Sequence, residues 1–144
     1  MSIEEKQSFQ TYQDSNLVDY PKSEKEVSDL IKQYYKSNTP IELVGFGSKR
    51  KIGKALQCGK TINFSKMNGI VEYLPQELYI KVKPCTPIKE IEDELKKNKQ
   101  HLAFESVDFG YIFEGKSNFG SAAGHVACNF SGPRRFKTGS PRDH

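Results

Sequence analysis

Residues 21–98 alternate between helical and strand periodicity at short intervals, and this alternation constrains the fold more than any other feature. One helix is predicted to begin at Ser23, because Glu26 three positions later completes a capping box. It is predicted to end before Pro40, since the residue before a proline avoids the helical region. Its apolar stripe has the spacing of one helix face and consists of Val27, Leu30, Ile31 and Tyr34.

A second helix and several strands complete this part of the chain. Thr86 is predicted to cap the helix, with Pro87 at the first helical position and Asn98 at its end. Its apolar stripe consists of Ile88, Ile91 and Leu95. The predicted strands are 41–44, 61–64, 70–74 and 78–83, with a further short strand near 101–104. Helices and strands mixed along one chain predict an α+β fold, with a small sheet flanked by helices.

Size and composition exclude several classes of protein. With 144 residues, the chain has room for one domain with a core of its own. Its formal net charge of +4 gives little support for nucleic-acid binding, which would depend on the basic run 49–51, so no nucleic acid is expected as a partner. The three cysteines form no CxxC pair, so we expect reduced, buried thiols and no metal site. The sequence contains neither a signal peptide nor an apolar run of membrane-spanning length, which predicts a cytoplasmic location.

The first segment that could carry chemistry follows the strand 41–44 and reads Gly45-Phe46-Gly47-Ser48-Lys49. Glycines let the backbone approach a ligand closely, and successive N–H groups in a tight loop can bind phosphate. The segment is not a P-loop, since Gly47 and Gly53 are one residue too far apart. It is not a Rossmann fingerprint either, because Arg50 stands at the third glycine position. An ordinary turn with a solvated basic tip remains an alternative.

From Glu105 onward the chain loses regular periodicity and becomes rich in Gly, Ser, Phe and Arg. A long irregular segment in a compact domain is functional or disordered, and the aromatic residues here favour a segment that wraps a ligand. Asn129 and Ser131 supply hydrogen bonds, and Gly132-Pro133 predicts a turn. The structural alternative is a small-residue helix under a sheet, with its arginines in solvent. His125 in such a segment is more often structural than catalytic, and no catalytic residue is predicted.

These segments, in this order, resemble the N-terminal part of flavoproteins with a PCMH-type (vanillyl-alcohol-oxidase-like) FAD-binding domain. Within that family the chain is most similar to the FAD-binding subunits of glycolate oxidases. The resemblance covers residues 21–144 and implies FAD as the cofactor. It is carried by the loop already described and by Gly69-Ile70-Val71, Thr86-Pro87, Phe109-Gly110, Val126-Ala127-Cys128, Ser131-Gly132-Pro133-Arg134-Arg135, Gly139-Ser140 and Arg142-Asp143.

The resemblance also implies two groups of site residues. Gly45, Phe46, Gly47, Ser48 and Lys49 would bind the pyrophosphate. A second group would approach the flavin or its phosphates: Gly124, Asn129, Ser131, Gly132, Gly139 and Ser140. This sequence departs from the family at Ala123, where the first glycine of a pair is usual, and at His125, where a hydrophobic residue is usual. An added methyl group at a close backbone approach costs about 1–3 kcal/mol if the site cannot relax.

The implied domain organisation is an extended lead-in over 1–20, then the N-terminal part of the FAD-binding domain over 21–144. The domain would be C-terminally incomplete and the substrate domain absent. The implied function is the FAD-binding portion of a flavin-dependent 2-hydroxy-acid oxidoreductase that converts glycolate to glyoxylate. Other subunits of a glycolate-oxidase-like complex would be its partners, and would hold it peripherally at the inner membrane. The alternative is a truncated, non-catalytic fragment that serves only as a complex partner.

Overall fold

The computed structural model describes residues 17–54, 56–115 and 120–144, so most of the predicted lead-in lies outside the described residues. The chain divides into two compact units. The first comprises the chain up to Val44 together with Arg50–Met67, and the second comprises Gly45–Lys49 and Asn68–His144. The loop 45–49 therefore belongs to the second unit, with the whole segment that follows Met67.

The first unit contains a three-stranded parallel sheet. Its strands are β1 (Val18–Asp19), β2 (Ile41–Val44) and β3 (Lys60–Asn63), arranged in the order β1-β3-β2. The central strand contributes Ile62, which is fully buried. The strands predicted at 41–44 and 61–64 are confirmed, the second displaced by one residue because Phe64 begins a 3₁₀ turn. β1 falls within the predicted lead-in, and the proposed boundary at residue 21 stays a prediction.

Helix α1 (Glu24–Lys36) begins where the capping box predicts. Ser23 Oγ accepts a hydrogen bond from Glu26 N at 3.2 Å, and the Glu26 carboxylate accepts one from Lys22 N at 2.8 Å. The predicted stripe is buried unevenly: Tyr34 is buried, whereas Ile31 is exposed. The Tyr34 hydroxyl donates to Asp19, and burial together with this carboxylate raises the pKa of Tyr34 to about 12.

The second unit begins with an antiparallel hairpin, whose strands are β4 (Ile70–Leu74) and β5 (Tyr79–Val82). A 3₁₀ turn at Pro75–Glu77 joins them. Both predicted strands are confirmed, the second one residue shorter at each end. Helix α2 (Ile88–Lys97) packs its predicted stripe into a hydrophobic core. This core consists of Ile88, Ile91 and Leu95, with Tyr73, Ile80, Val82, Leu102 and Ala122 packed against them.

The predicted helix cap at Thr86 is wrong. Pro87 precedes the first helical residue and offers no side-chain cap. The Thr86 side chain is fully buried, and its hydroxyl lies 2.7 Å from Lys83 O and accepts a hydrogen bond from Gly69 N at 3.0 Å. The hydroxyl therefore joins two turns that are distant in sequence, and local spacing could not show this.

The segment after residue 100 differs from its prediction in two ways. The strand expected near 101–104 is absent from these described residues. Residues 105–144, predicted to be irregular, contain three short helices: α3 (Phe109–Glu114), α4 (Ala122–Cys128) and α5 (Arg135–Thr138). Asp108 caps α3 and Ser121 caps α4 through their side chains. These helices are too short to show a helical period, so side-chain caps and tertiary contacts define them. The small-residue helix considered as an alternative is α4.

The observed architecture is α+β, with small sheets and helices, as predicted. Across 17–54, 56–115 and 120–144, no helix combines the length and apolarity required to cross a bilayer. The same residues contain no group of histidine, cysteine and acidic side chains that could hold a metal ion. All three cysteines are free, but only Cys85 is buried, so the expectation of buried thiols is wrong for exposed Cys128.

Candidate functional site

The glycine loop, Gly45–Lys49, follows β2 and is held tightly within the second unit. A Cβ atom added at Gly45 would lie 2.7 Å from Ser121 Oγ, well inside van der Waals contact. Gly47 has φ of +77°, a conformation that favours glycine. Ser48 is buried, and turns rather than a helix follow the loop. The loop therefore has the close packing and open backbone of a ligand-binding turn, and it lacks the helix of a Rossmann motif.

Lys49 places a half-buried ammonium group beside helix α4. Its Nζ lies 5.7 Å from the centroid of the Phe109 ring, within cation–π range, and 3.7 Å from where a Cβ on Gly124 would be. Burial lowers the pKa of Lys49, while electrostatic interactions with Cys128 and Asp108 oppose this. In the described part of the chain, no carboxylate forms an ion pair with it. A partly desolvated ammonium that makes no direct ion pair is a favourable partner for an anion.

Arg50, unlike Lys49, is paired with a carboxylate. Its guanidinium binds Glu42 through two nitrogens, Nε at 2.8 Å from Oε1 and Nη2 on Oε2, within the first unit. The basic run 49–51 is therefore not one continuous positive surface, because a buried carboxylate already neutralises its middle residue. Lys49 is the member of the run that the structure places in the candidate site.

The first backbone N–H groups of helix α4 already donate hydrogen bonds to other parts of the protein. Ala122 N donates to Thr86 O at 2.9 Å and Ala123 N donates to Pro84 O at 3.0 Å. The N–H of Gly124 points to Ser121 Oγ at 3.3 Å. These first amide groups are used within the fold, so the glycine loop and Lys49 are the remaining candidates for binding an anion.

The two glycine-pair positions have different environments. Ala123, where the family has glycine, is exposed, so the structure provides room for its methyl group. At Gly124, a Cβ would lie 3.0 Å from Ser121 Oγ, tighter than most van der Waals contacts. A side chain at 124 would therefore require Ser121 to shift by a few tenths of an ångström, whereas the departure at 123 causes no clash with the residues described.

The C-terminal turn segment, residues 129–144, contains the remaining predicted site residues. Asn129 ends α4 in the left-handed conformation, with φ of +52°. Its Oδ1 accepts a hydrogen bond from Arg142 N at 3.0 Å. The Arg142 guanidinium donates to Val126 O at 2.8 Å and to Ala127 O. Asn129 and Arg142 thus satisfy carbonyl and amide groups at the C-terminal end of α4.

The other turns in this segment are also closed by internal contacts. Glu105 Oε2 accepts from Arg134 N at 3.0 Å, and a Cβ on Gly132 would lie only 2.2 Å from that oxygen. Gly139 has φ of +80°. The amide and hydroxyl of the next residue, Ser140, donate to Asp143 Oδ2 at 2.6 and 2.8 Å. Ser131 is partly buried between these turns. Helix α4 connects the C-terminal turn segment to Gly124. The polar atoms of the turn segment largely bind one another.

His125 has a structural role in the described residues. It is buried, with Nδ1 3.0 Å from Ser121 O and Nε2 3.2 Å from Val107 O. Both ring nitrogens therefore face backbone carbonyls of the protein, as the non-catalytic interpretation predicts.

Two residues of the site were not predicted. Ser121 lies against Gly45 and caps α4, and Phe109 lies below the Lys49 ammonium. Phe109 also contacts Phe130, with 5.1 Å between ring centroids. A serine directly before the small-residue stretch 122–124 is a helix-capping signal that could have identified Ser121. No local signal places Phe109 beside Lys49, which is 60 positions earlier.

A cleft of about 530 Å³ lies elsewhere in the second unit. Its walls include Glu92, Lys96, Glu105 and Arg134, so both signs of charge alternate around it. None of the predicted site residues lines it. The glycine loop is the better candidate for an anion, because its Lys49 ammonium forms no ion pair with the described residues, whereas the open cleft carries charges of both signs.

Comparison with known proteins decides the family. Residues 15–144 match the family described as an FAD binding domain. The chain belongs to this family. A curated relative of this FAD-binding domain is glycolate oxidase subunit GlcE from Escherichia coli (strain K12), which is 34% identical over 115 residues. The match covers 80% of the chain and 31% of the relative, so the chain spans about a third of the relative's length.

Solved structures have the same fold. The FAD-binding domain superimposes on alkyldihydroxyacetonephosphate synthase in two crystal forms, each with a TM-score of 0.66. The sequence identities are 22% and 23%, and the matches cover 88% of this chain but 23% and 24% of the synthase chains. At such identities the likeness shows the fold alone. Together with the family match, it confirms the resemblance to PCMH-type FAD-binding domains.

FAD is the cofactor of this domain family, and the residues present fit its pyrophosphate. At Gly45 and Gly124 the missing Cβ lets Ser121 Oγ pack against the backbone, and the Lys49 ammonium beside Gly124 forms no ion pair with the described residues. Bound FAD supplies redox chemistry, whereas the protein contributes binding and orientation. The Lys49 ammonium can bind a phosphate oxygen, and the loop backbone can approach the phosphates closely.

Proposed function

We propose that this FAD-binding domain serves a flavin-dependent 2-hydroxy-acid oxidoreductase that converts glycolate to glyoxylate. The supporting observation is the glycine loop with its half-buried Lys49, found in a chain 34% identical to a glycolate oxidase subunit. The substrate assignment rests on that relative's name, and the cofactor assignment on the family and on the loop.

Within the site, we propose that Gly45, Phe46, Gly47, Ser48 and Lys49 contact the pyrophosphate. Gly124 is the second point of close approach, because the Lys49 ammonium lies beside it. Asn129, Ser131, Gly132, Gly139 and Ser140 are proposed to border the flavin or its phosphates. Since Asn129 and Ser140 already bind Arg142 and Asp143, their contribution would be the shape of the turns.

We further propose that other subunits of a glycolate-oxidase-like complex are partners of this chain. Under this proposal the protein is cytoplasmic and is held peripherally at the inner membrane by that complex. The support is the relative, which is a subunit by name. Residues 1–20 are proposed to form a lead-in to the FAD-binding part.

Titration of the purified chain with FAD tests the proposal. We expect saturable binding that quenches flavin fluorescence, with one FAD per chain. Protein that neither retains flavin absorbance nor binds added FAD would contradict FAD binding and favour the non-catalytic partner role. For the substrate, we expect anaerobic glycolate to bleach the flavin of the complex isolated from its source cells. Bleaching by a different hydroxy acid, with none by glycolate, would contradict the substrate assignment alone.

A further inference from the structure

His125 lies next to Gly124 in the candidate site, and its ring has two backbone acceptors. Nδ1 lies 3.0 Å from Ser121 O and Nε2 lies 3.2 Å from Val107 O. A neutral imidazole carries one N–H, so it can donate to only one of these carbonyls and turns a lone pair toward the other. An imidazolium donates to both. The backbone geometry therefore suits the protonated ring.

The surroundings of the ring oppose this charge when the loop has no anion. Burial lowers the pKa of His125, and the Lys49 ammonium lowers it further, while the two carbonyls and Asp108 raise it. A Cβ on Gly120 would lie 2.4 Å from Cε1, so the ring is tightly enclosed. A phosphate group bound to Lys49 would offset the positive charge of Lys49, which disfavours a second proton on the His125 ring.

A small cavity of about 40 Å³ adjoins the ring, with room for a water molecule. Lys89 and Glu92 line it from α2, and Asp108 lines it from the residue before α3. The Lys89 ammonium pairs with Asp93 and the Glu92 carboxylate accepts from Ser106 Oγ at 3.2 Å. The charges that act on the ring are those of Asp108, which favours the protonated form, and of Lys49 on the loop, which disfavours it. The cavity therefore leaves room for a water molecule beside the ring, and Asp108 favours the charged form.

We propose that His125 is a positioning residue for the cofactor: with a pyrophosphate on the glycine loop, the ring carries both protons and ties the Ser121 and Val107 carbonyls together. The proposal rests on the proposed FAD site. Ser121 Oγ is the atom against which Gly45 packs, so fixing this turn fixes the loop. The second proton comes from solvent, and FAD binding is accompanied by proton uptake. By linkage, affinity for FAD then rises as pH falls from about 8 to about 5, by at most about tenfold per pH unit.

Calorimetric titration of the full chain with FAD, in two buffers of different ionisation enthalpy at about pH 6.5, measures this uptake. We expect a net uptake of up to about one proton, since a single site is involved. In His125→Leu, which carries a family-like hydrophobic residue, uptake should vanish. In Lys49→Arg, whose side chain stays charged, it should persist. His101→Gln is the matched control, an exposed histidine outside the site, and should behave as the parent does.

The outcomes separate the two proposals. If FAD does not bind at any pH, both fail. If FAD binds without proton uptake, or with the same uptake in His125→Leu, the role of His125 is overturned while the FAD site stands. Should His125→Leu not fold, ring-nitrogen NMR of the parent decides: FAD saturation should produce an imidazolium at a buried histidine, and a ring that stays neutral overturns the proposal.

Discussion

The glycine loop and the C-terminal turn segment have similar compositions, but their polar groups have different partners. In the turn segment, Asn129 binds Arg142 and Ser140 binds Asp143. In the loop, Lys49 is half-buried and forms no ion pair within the described residues. The first pattern stabilises turns, whereas the second leaves a charge for which an anionic ligand would be the counterpart.

The comparison distinguishes two uses of glycine in one site. Gly45 lets another part of the protein, Ser121, approach the loop backbone. Gly139 instead permits a positive φ that closes a turn. A sequence motif does not show which of these two roles a glycine has, and only the folded structure distinguishes them. We therefore expect removal of the Lys49 charge to affect FAD binding first and substitutions in the turn segment to affect stability first.

Removing the ammonium should have the largest effect. Lys49→Met should weaken FAD binding by about 10- to 100-fold, as expected for loss of a charge-assisted hydrogen bond of about 1.5–3 kcal/mol. Thermal stability should be unchanged or higher, because a half-buried charge is removed. Fluorescence titration and thermal unfolding measure both effects. Lys51→Met is the matched control, an exposed lysine of the same run. An equal loss of FAD affinity in Lys49→Met and Lys51→Met would contradict the role proposed for the Lys49 ammonium.

Adding one methyl group to the loop should have the next largest effect. Gly45→Ala would place its Cβ 2.7 Å from Ser121 Oγ and should lower the free energy of unfolding by about 1–3 kcal/mol. FAD binding should weaken as well, because the loop must shift. In a Ser121→Ala background the added methyl should cost less, since the clashing oxygen is gone. A double-mutant cycle in denaturant measures this coupling, and strict additivity would contradict the proposed contact.

The turn segment should show the opposite pattern. Arg142→Met removes the guanidinium from Val126 O and Ala127 O and should lower the free energy of unfolding by about 1 kcal/mol. FAD affinity should change by less than about threefold, under 1 kcal/mol. Arg135→Met, an exposed arginine of α5, serves as the control. A large loss of FAD affinity without loss of stability would assign Arg142 to the cofactor instead.

The smallest effect concerns acid stability. The backbone N–H and the hydroxyl of Ser140 lower the pKa of Asp143 below its usual 3.8. A lowered carboxyl pKa contributes stability above the unfolded value, and this contribution is lost as pH falls through the folded value. Thermal unfolding below about pH 4 should therefore depend less on pH in Asp143→Asn than in the parent. If the melting temperatures of the two proteins change identically with pH in this range, the turn at Asp143 does not contribute to acid stability.

Features determined by neighbouring residues could be predicted from the sequence. The capping box at Ser23 and the stripe of Ile88, Ile91 and Leu95 depend on spacing alone, and both were correct. Thr86 was predicted wrongly because its hydroxyl binds Gly69, 17 positions earlier. Helices α3 and α5 were missed, and α4 was considered only as an alternative, because each is too short to show a period and is stabilised by caps or distant contacts.

In the candidate site as well, local features could be predicted from the sequence, and contacts between distant residues could not. The glycine loop could be located by composition, but its partners Ser121 and Phe109 lie more than 50 residues away. Arg50 looked equivalent to Lys49 in sequence, and only the pairing with Glu42 distinguishes them. Whether a basic side chain is available for a ligand depends on which carboxylate reaches it, and this is a property of the fold.

Amide NMR of the isotopically labelled chain, recorded during titration with FAD, compares the two regions in one experiment. The largest shifts should occur at the amides of Gly45–Lys49 and at Gly124, with smaller changes at Asn129 and Ser140. The shifts in the loop should follow a single saturation curve and should be lost in Lys49→Met. Shifts confined to the turn segment, or to the residues of the open cleft, would contradict a pyrophosphate site on the glycine loop.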